Sequence, residues 1–176
     1  ALSDDFAVGR LGLQWAFYDP GTDEHARLRL DGDGLVLAGK GSVPADSSPL
    51  CFIVGDHRYR VSVDIEIDAR SCGGLLLFYN RRLYCGLGFD AEGLVMHRYG
   101  LERRQLAPTG MTRRLSLRVT NDNHIVTIHH RGGNAAWQKF GVQMEVSGYH
   151  HNVAYDFLSL RPAIYAAGSG TVRFRN

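Results

Sequence analysis

Three carboxylates alternate along one short segment of the chain, at Asp64, Glu66 and Asp68. Alternate residues of a β-strand lie about 7 Å apart on one face, and two carboxyl groups about 5–5.5 Å apart carry out retaining glycoside hydrolysis. Such a site also needs an environment that raises the pKa of one carboxyl group. Arg58 and Arg60 share the face, and their charges keep nearby carboxylates ionised. The pattern therefore favours a solvated strand face paired with arginines, with a self-sufficient jelly-roll glycosidase as the alternative.

The two tryptophans, Trp15 and Trp137, are candidate sugar platforms, because flat aromatic rings stack on the apolar faces of pyranose rings. Trp15 lies in an alternating run in which Leu11, Leu13 and Phe17 share its face. That pattern favours packing in the core. Trp137 follows a polar, glycine-containing turn, and the sequence leaves both an exposed and a buried ring open.

Eight histidines include two adjacent pairs, His129 with His130 and His150 with His151. Neighbouring residues on a strand point to opposite faces, so neither pair forms a ready chelate. Neither pair is accompanied by the spaced histidine, cysteine or carboxylate partners of a zinc site. We therefore expect no metal at either pair.

Two acidic clusters could supply oxygen ligands to calcium, Asp4 with Asp5 and Asp31 with Asp33. The second cluster reads Asp-Gly-Asp-Gly, which is typical of a tight turn between strands. The first is interpreted as a pair of solvated residues. No cofactor is therefore expected, with structural calcium as the alternative.

The composition is that of a soluble globular protein, with 44% apolar and 22% charged residues. The formal net charge of +2 arises from scattered arginines, so nucleic acid is not an expected partner. No apolar run approaches the ~20 residues of a membrane helix, and no signal peptide is visible. Cys51, Cys72 and Cys85 are odd in number and irregular in spacing. This predicts buried free thiols and favours a reducing compartment, the bacterial cytoplasm, although a secreted parent is the alternative.

Strict alternation over residues 59–68 predicts a strand with one buried and one solvated face. Residues 115–120 repeat the pattern, and Asn121-Asp122-Asn123 is expected to turn the chain into a partner strand at 125–128. Further strands are expected at 26–30, 35–38, 50–54, 73–79, 83–89, 94–99, 158–166 and 171–175. No window shows convincing helical periodicity. The chain is therefore predicted to be all-β, a two-sheet antiparallel β-sandwich of the jelly-roll kind, forming one domain over residues 1–176.

Five longer segments are distinctive, namely LGLQWAFYDP at 11–20, GGLLLFYN at 73–80, VSGYHHN at 146–152, FLSLRPA at 157–163 and YAAGSGTVRFRN at 165–176. They resemble the C-terminal β-sandwich of glycoside hydrolase family 43 β-xylosidases and α-arabinofuranosidases. The resemblance implies a concanavalin A-like jelly roll, also classed as carbohydrate-binding module family 91. It implies the family's catalytic propeller as partner and xylan or xylo-oligosaccharide as ligand. The propeller, which carries the family's catalytic acids, is absent from the sequence, so no catalytic residue is carried over.

The resemblance also draws attention to residues 147–160, which are longer and more aromatic than a plain connection requires. In that family an aromatic residue of the sandwich reaches into the pocket of the propeller. The matching position is Phe157, with His150 or His151 nearby, and Tyr149 lies in the same stretch. The alternative is a loop packed by its own aromatic side chains.

Two positions depart from the family pattern. Arg173 and Arg175 stand where related domains often carry acids, so a calcium site using those acids is not expected. The turn before Trp137 lacks the serine and aspartate of the family's usual Ser-x-Asp-Gly-x-x-Trp sequence. Taken with the resemblance, the sequence predicts a non-catalytic, carbohydrate-binding accessory domain, with a purely structural scaffold as the alternative.

Overall fold

The computed structural model describes residues 3–6, 9–108 and 111–176. Within these ranges the strands are β1 (Trp15–Phe17), β2 (Leu28–Leu30), β3 (Leu35–Ala38), β4 (Leu50–Phe52), β5 (Arg58–Ile67), β6 (Ser71–Phe78), β7 (Tyr84–Phe89), β8 (Gly93–Arg98), β9 (Leu101–Leu106), β10 (Arg114–Asp122), β11 (Ile125–Arg131), β12 (Gln138–Lys139), β13 (Met144–Glu145), β14 (Arg161–Gly168) and β15 (Thr171–Arg175). Two 3-10 turns, Glu24–Arg27 and Pro44–Asp46, and one short helix, α1 (His151–Ala154), lie between them. None of the helices in the described ranges has the length and apolar character needed to cross a membrane.

The strands form two antiparallel sheets that pack face to face as a sandwich. The first sheet has the order β1-β4-β14-β6-β7-β8-β9, and the second has the order β12-β11-β10-β5-β15-β3-β2, with β13 also paired to β11. Apolar side chains from the inner faces of both sheets form one continuous core. The predicted all-β, two-sheet antiparallel sandwich is confirmed.

Strand β5 sets the register of the second sheet. Val63, Ile65 and Ile67 are buried in the core, and the alternating polar side chains point outward. β5 pairs with β10 over nine residue pairs, from Arg58 opposite Asp122 to Glu66 opposite Arg114. The strand predicted at 59–68 therefore exists, displaced by one residue.

The hairpin between β10 and β11 is tighter than the sequence predicted. Asp122 still pairs with Ile125, and the turn consists of Asn123 and His124 alone, with φ of 48° and 78°. Two consecutive positive φ angles define the two-residue turn whose twist matches antiparallel strands. Asn121 belongs to the strand, and its side-chain oxygen accepts a hydrogen bond from the His124 amide at 3.0 Å.

Several sequence-based assignments were wrong, and the strand expected at 158–166 is displaced to Arg161–Gly168. β9 was not predicted, because all six of its residues are exposed and carry no alternation. The alternation over 11–17 does not mark one strand, since Leu13 is fully exposed and β1 begins only at Trp15. The strand expected from residue 26 starts at Leu28, after a 3-10 turn whose buried Glu24 is paired with Arg27 and Lys40.

The cysteines are free thiols, as predicted. Cys72 lies opposite Ala167, whereas Cys85 lies opposite Leu77, so the two thiols occupy different rows of the first sheet. Burial raises the pKa of Cys51 and of Cys72 to about 11 and that of Cys85 to about 12.

A buried polar network crosses the outer face of the first sheet. The Tyr165 hydroxyl lies 2.7 Å from His97 Nε2 and 3.2 Å from Cys72 Sγ. A Cβ atom at Gly88 would come within 2.1 Å of this hydroxyl, so the position requires glycine. His97 Nδ1 lies 3.3 Å from a Glu102 carboxylate oxygen, although without hydrogen-bond geometry. Burial, reinforced by the Arg104 charge, lowers the pKa of His97 to about 3.

This buried imidazole predicts an acid-sensitive stability. Between pH 6.5 and about pH 3, His97 binds a proton in the unfolded chain but stays neutral in the folded protein. The free energy of unfolding should therefore fall as the pH drops through this range. The His97 contribution has a limiting slope of about 1.4 kcal/mol per pH unit. Urea unfolding of the wild type and of His97→Gln should be measured between pH 7 and pH 4. The difference between the two slopes of unfolding free energy against pH is the His97 contribution. Parallel pH profiles for the two proteins would contradict the prediction.

Candidate functional site

The segment between β13 and β14, residues 146–160, forms a structured projection at one end of the sandwich. The His150 side chain begins α1 by accepting a hydrogen bond from the Asn152 amide at 3.2 Å. The helix ends at Tyr155, whose φ of 61° is left-handed. Its amide donates to the His151 carbonyl at 2.7 Å, which closes the turn.

Buried polar contacts tie this projection to the core. The Asn80 side-chain amide donates to the Asp156 carboxylate at 2.6 Å, and the Tyr79 hydroxyl donates to the Asp156 backbone carbonyl. Tyr149 is buried, and its hydroxyl lies 3.5 Å from the Tyr84 carbonyl oxygen. These contacts anchor the backbone on both sides of α1, which reduces the ordering that a partner would have to impose on the segment.

The outer surface of the projection is apolar and aromatic. Phe157 is 94% exposed and Tyr155 is 86% exposed, with Val153 and Leu158 exposed beside them. The His151 ring stacks on the Phe157 ring with centroids 5.6 Å apart and planes at 17°. A contiguous group of exposed apolar side chains on a fixed backbone is typical of an interaction surface. We call His151, Val153, Tyr155, Phe157 and Leu158 the aromatic projection.

A cavity of about 410 Å³ opens beside the aromatic projection. It is lined by residues of the 54–59 connection, the β10–β11 turn and the stretch from 146 to 160, among them Asp56, His57, His124, Ser147, Tyr149, His150 and Ser159. The His57 and His124 rings lie 5.8 Å apart. Among the described residues, the buried Tyr59 hydroxyl has no hydrogen-bond partner of good geometry, although Asn121 lies beside it. Burial raises the pKa of Tyr59 to about 12, so the hydroxyl stays protonated.

Trp15 lies in a different part of the molecule. Its indole N–H donates to the Asp4 carboxylate at 2.9 Å, and its ring packs edge-on against Phe52 at 5.0 Å and tilted against Phe6 at 5.7 Å. The half-buried ring therefore packs against the core, as the sequence favoured. Trp15 lines a second cavity, of about 290 Å³, and Arg60 also lines this cavity.

Trp137 lies on the outer face of the second sheet. The Arg118 guanidinium carbon is 3.9 Å from the ring centroid, and that of Arg131 is 4.6 Å away. The ring is half-buried under these two cations. It is therefore part of a charged surface and not an open platform for a sugar ring.

The three alternating carboxylates are each engaged by structural partners. Asp64 accepts a hydrogen bond from the Ser116 hydroxyl. Glu66 is bound by Arg175 at 2.9 Å and by Arg114 at 3.0 Å. Both contacts lower the pKa of Glu66, and the contact with Arg175 has the larger effect.

Asp68 lies in the turn between β5 and β6 and links this turn to the start of β15. It accepts hydrogen bonds from the Thr171 amide at 2.7 Å and the Arg70 amide at 2.8 Å. Partial burial alone would raise its pKa, but these backbone donors hold the pKa below its usual value. Neither Glu66 nor Asp68 has the raised pKa that an acid catalyst requires, since both pKa values are lowered.

The acidic β2–β3 turn is bound by arginines of the last strand. Arg173 donates two hydrogen bonds of 2.7 Å to the Asp31 carboxylate, and Arg175 binds Asp33 at 2.7 Å. The Arg173 contact lowers the pKa of Asp31 to about 2. Among the described residues, no group of three or more histidine, cysteine or acidic side chains is arranged to hold a metal ion. The absence of a calcium site stays a prediction.

The sequence-based candidates therefore separate into four places. His151 and Phe157 form the aromatic projection, Tyr149 and His150 line the adjoining cavity, and each tryptophan lies elsewhere. Sequence reasoning missed the anchors Tyr79, Asn80 and Asp156, and it also missed the cavity residues His57, Tyr59 and His124. Tyr59 was interpreted only as a core residue, because alternation places a side chain on a face without showing whether its hydroxyl finds a partner.

Solved structures share this fold. A xylan beta-1,4-xylosidase from Bacillus halodurans C-125 superposes with a TM-score of 0.78 and 15% identity, covering 98% of this chain and 38% of its own. The GH43 BlXynB protein from Bacillus licheniformis gives a TM-score of 0.77 and 19% identity, covering 97% of this chain and 37% of its own. The present chain thus spans well under half of these two proteins.

The fold is not limited to long enzymes. A functionally unknown protein from Saccharomyces cerevisiae gives a TM-score of 0.60 and 11% identity, with 98% of this chain and 96% of that chain covered. No protein-family profile and no curated sequence matches this chain. At these identities the likenesses establish the fold, and the sandwich that the sequence resemblance implied is confirmed at that level.

The anchoring of the aromatic projection can be tested directly. Asp156→Ala removes the hydrogen bond to Asn80, and a hydrogen bond to a charged group is worth about 1.5–3 kcal/mol. Amide hydrogen exchange of Val153, Ala154 and Tyr155 should become roughly tenfold faster or more, while the β10 amides keep their protection. Asp19→Ala, which removes an exposed partner of Arg81, is the matched control. Unchanged exchange in α1 of the Asp156 variant would show that the contact does not hold the projection.

Proposed function

We propose that this chain is a non-catalytic accessory domain of a hemicellulose-degrading glycoside hydrolase. In this proposal the aromatic projection packs against a family 43 catalytic propeller, and the domain contacts xylan or xylo-oligosaccharides. The observation that carries the proposal is the aromatic projection, whose phenylalanine is exposed and directly follows Asp156, the residue bound by Asn80. The fold shared with part of a longer GH43 protein and with part of a longer xylan beta-1,4-xylosidase supports it.

The state of the acidic side chains supports a non-catalytic role. Glycoside hydrolysis requires one carboxyl group that is protonated near neutral pH beside a second that is ionised. Asp64, Glu66 and Asp68 instead accept hydrogen bonds from a serine, from arginines and from backbone amides. We therefore assign the chemistry of the proposed enzyme to its propeller.

Phe157 would complete the propeller's pocket from one side. Its ring is stacked on His151, so the two planar groups would enter a neighbouring cleft as one unit. An apolar wall of this kind excludes water and limits the space beyond the terminal sugar. Such a pocket favours cleavage at chain ends.

The cavity beside the aromatic projection supports sugar contact. Its volume of about 410 Å³ is within the range of small-molecule sites. The protonated Tyr59 hydroxyl and the imidazoles of His57 and His124 provide hydrogen-bonding groups for sugar hydroxyls. In the proposed complex this cavity would lie at the edge of the propeller contact.

A purely structural scaffold is the second candidate, and the tryptophans favour it. Trp15 packs against Phe52 and Phe6, and Trp137 is covered by two guanidinium groups. Neither offers the open ring face that holds polysaccharides in many sandwich modules. Native electrophoresis of the chain through xylan-containing gels separates the two candidates, since a scaffold would show no retardation.

The main test is Phe157→Ala in the enzyme that we propose carries this domain. The change should lower kcat/KM on xylobiose about tenfold or more, which corresponds to roughly 1.4 kcal/mol of transition-state binding. Leu106→Ala is the matched control, because it removes an equally exposed apolar side chain from β9. It should leave kcat/KM unchanged.

Two results would contradict the proposed function. One is an unchanged kcat/KM for Phe157→Ala with the domain intact by circular dichroism. The other is turnover of aryl β-xylosides or aryl α-arabinosides by the isolated chain that survives rigorous repurification.

A further inference from the structure

The outer face of the second sheet is divided into two regions of different charge. In the region formed by β15 and its neighbours, each outward arginine is paired with a carboxylate. Arg173 binds Asp31, Arg175 binds Asp33 and Glu66, and Arg114 binds Glu66. Charge is therefore balanced in this half of the face.

The other region carries cations without carboxylate partners. It lies on β5, β10, β11 and β12 and consists of Arg60, Arg118, His129, Arg131 and Lys139 around the ring of Trp137. Among the described residues, none of its three arginines and neither Lys139 nor His129 forms an ion pair within 4 Å. We call this group the basic patch.

The sheet register brings these side chains together. Arg118 lies opposite His129 on one side and Ser62 on the other, and Lys139 lies opposite His129 on the next strand. Since neighbouring strands are about 4.8 Å apart, four strands place the cations across roughly 15 Å. This is the width of a short stretch of polymer and not of a single ion.

Two guanidinium groups of the basic patch are oriented by their surroundings. Arg118 Nε donates to the Ser62 hydroxyl at 3.1 Å, and Arg131 Nε donates to the Ser116 hydroxyl at 3.3 Å. Both groups also lie over the Trp137 ring. Their terminal nitrogens make no hydrogen bond to any described residue. The two terminal NH2 groups of each guanidinium are therefore available to donate hydrogen bonds to a ligand.

The arrangement is electrostatically costly in the free protein. Partial desolvation, followed by the nearby charges of Arg60 and Arg131, lowers the pKa of Arg118. Asp64, a carboxylate on this face, is already bonded to Ser116. His129 Nδ1 is buried without a hydrogen-bond partner among the described residues. An anion bound here would relieve both the mutual repulsion and the unused donors.

We propose that the basic patch binds the carboxylate groups of an acidic glycan, a hemicellulose chain bearing uronic acid residues. A planar carboxylate matches the paired donors of a guanidinium group. Lys139 and Arg60 provide further positive charges that can bind a second carboxylate along the polymer. The choice of a glycan depends on the proposed function, because uronate is the anionic group that such polysaccharides carry. The patch is separate from the aromatic projection, so one chain would hold the polymer on its sheet face while the projection contacts the propeller.

Affinity electrophoresis of the present chain in glucuronoxylan, and in the same polysaccharide after its carboxyl groups have been reduced, tests this assignment. The wild type should be retarded by glucuronoxylan and at least tenfold less by the reduced polymer. Arg118→Gln/Arg131→Gln should lose at least tenfold in affinity for glucuronoxylan. Arg114→Gln, on the same strand and face but outside the basic patch, should bind as the wild type does.

A charge-preserving variant separates paired hydrogen bonding from general attraction. Arg118→Lys/Arg131→Lys keeps both charges and removes the planar donor pairs, so it should lose several-fold in affinity. Circular dichroism and thermal melts identify any variant that fails to fold. If a variant fails to fold, the proposal is tested by whether the wild type binds glucuronoxylan more tightly than the carboxyl-reduced polymer.

Four results would overturn the proposal. They are equal retardation by the reduced and unreduced polymers, no retardation by either at low salt, an equal loss in Arg114→Gln, and binding of single-stranded DNA or polyglutamate as tight as that of glucuronoxylan. The proposed function fails separately, through the Phe157 kinetics, because the patch is measured on the chain alone. A patch that binds with unchanged Phe157→Ala kinetics would leave an acidic-glycan module without the propeller contact.

Discussion

The register between β5 and β10 is the constraint on which both faces of the second sheet depend. Side chains alternate along a strand, so a slip of one residue would turn Ile65 to solvent and bury Arg60 or Asp64. The nine-residue pairing and the adjoining β15 leave no such freedom. The same register that fills the core thus determines which cations lie beside Trp137 and which are matched with carboxylates.

A second dependence runs from the first sheet to the aromatic projection. Asn80 accepts hydrogen bonds from the amides of Arg82 and Leu83, both at 2.9 Å, and so shapes the β6–β7 turn. Its amide group also donates to Asp156. One buried side chain therefore links a hairpin of the sheet to a segment more than seventy residues away, and the position of Phe157 follows from that link.

The sequence was informative where burial alternates and misleading where it does not. Residues 59–68 were predicted because one face is consistently apolar, whereas β9 was missed because both of its faces meet solvent. Trp137 could not be placed from sequence, since its environment is made by Arg118, which is distant along the chain. The membership of Phe157 in the candidate site came from the family resemblance, and the anchoring of the backbone beside it could be recognised only once the Asp156 contacts were known.

The three thiols described with the first sheet have a chemical consequence. Disulfide exchange, alkylation and oxidation proceed through the thiolate, and burial keeps Cys51, Cys72 and Cys85 protonated well above neutral pH. Cys51 and Cys85 are also shielded by the surrounding side chains. Cys51 and Cys85 should therefore react slowly in the folded domain, whether its surroundings are oxidising or reducing. Rapid modification of either of these two residues by a thiol reagent would accordingly report unfolding and not a change of redox potential.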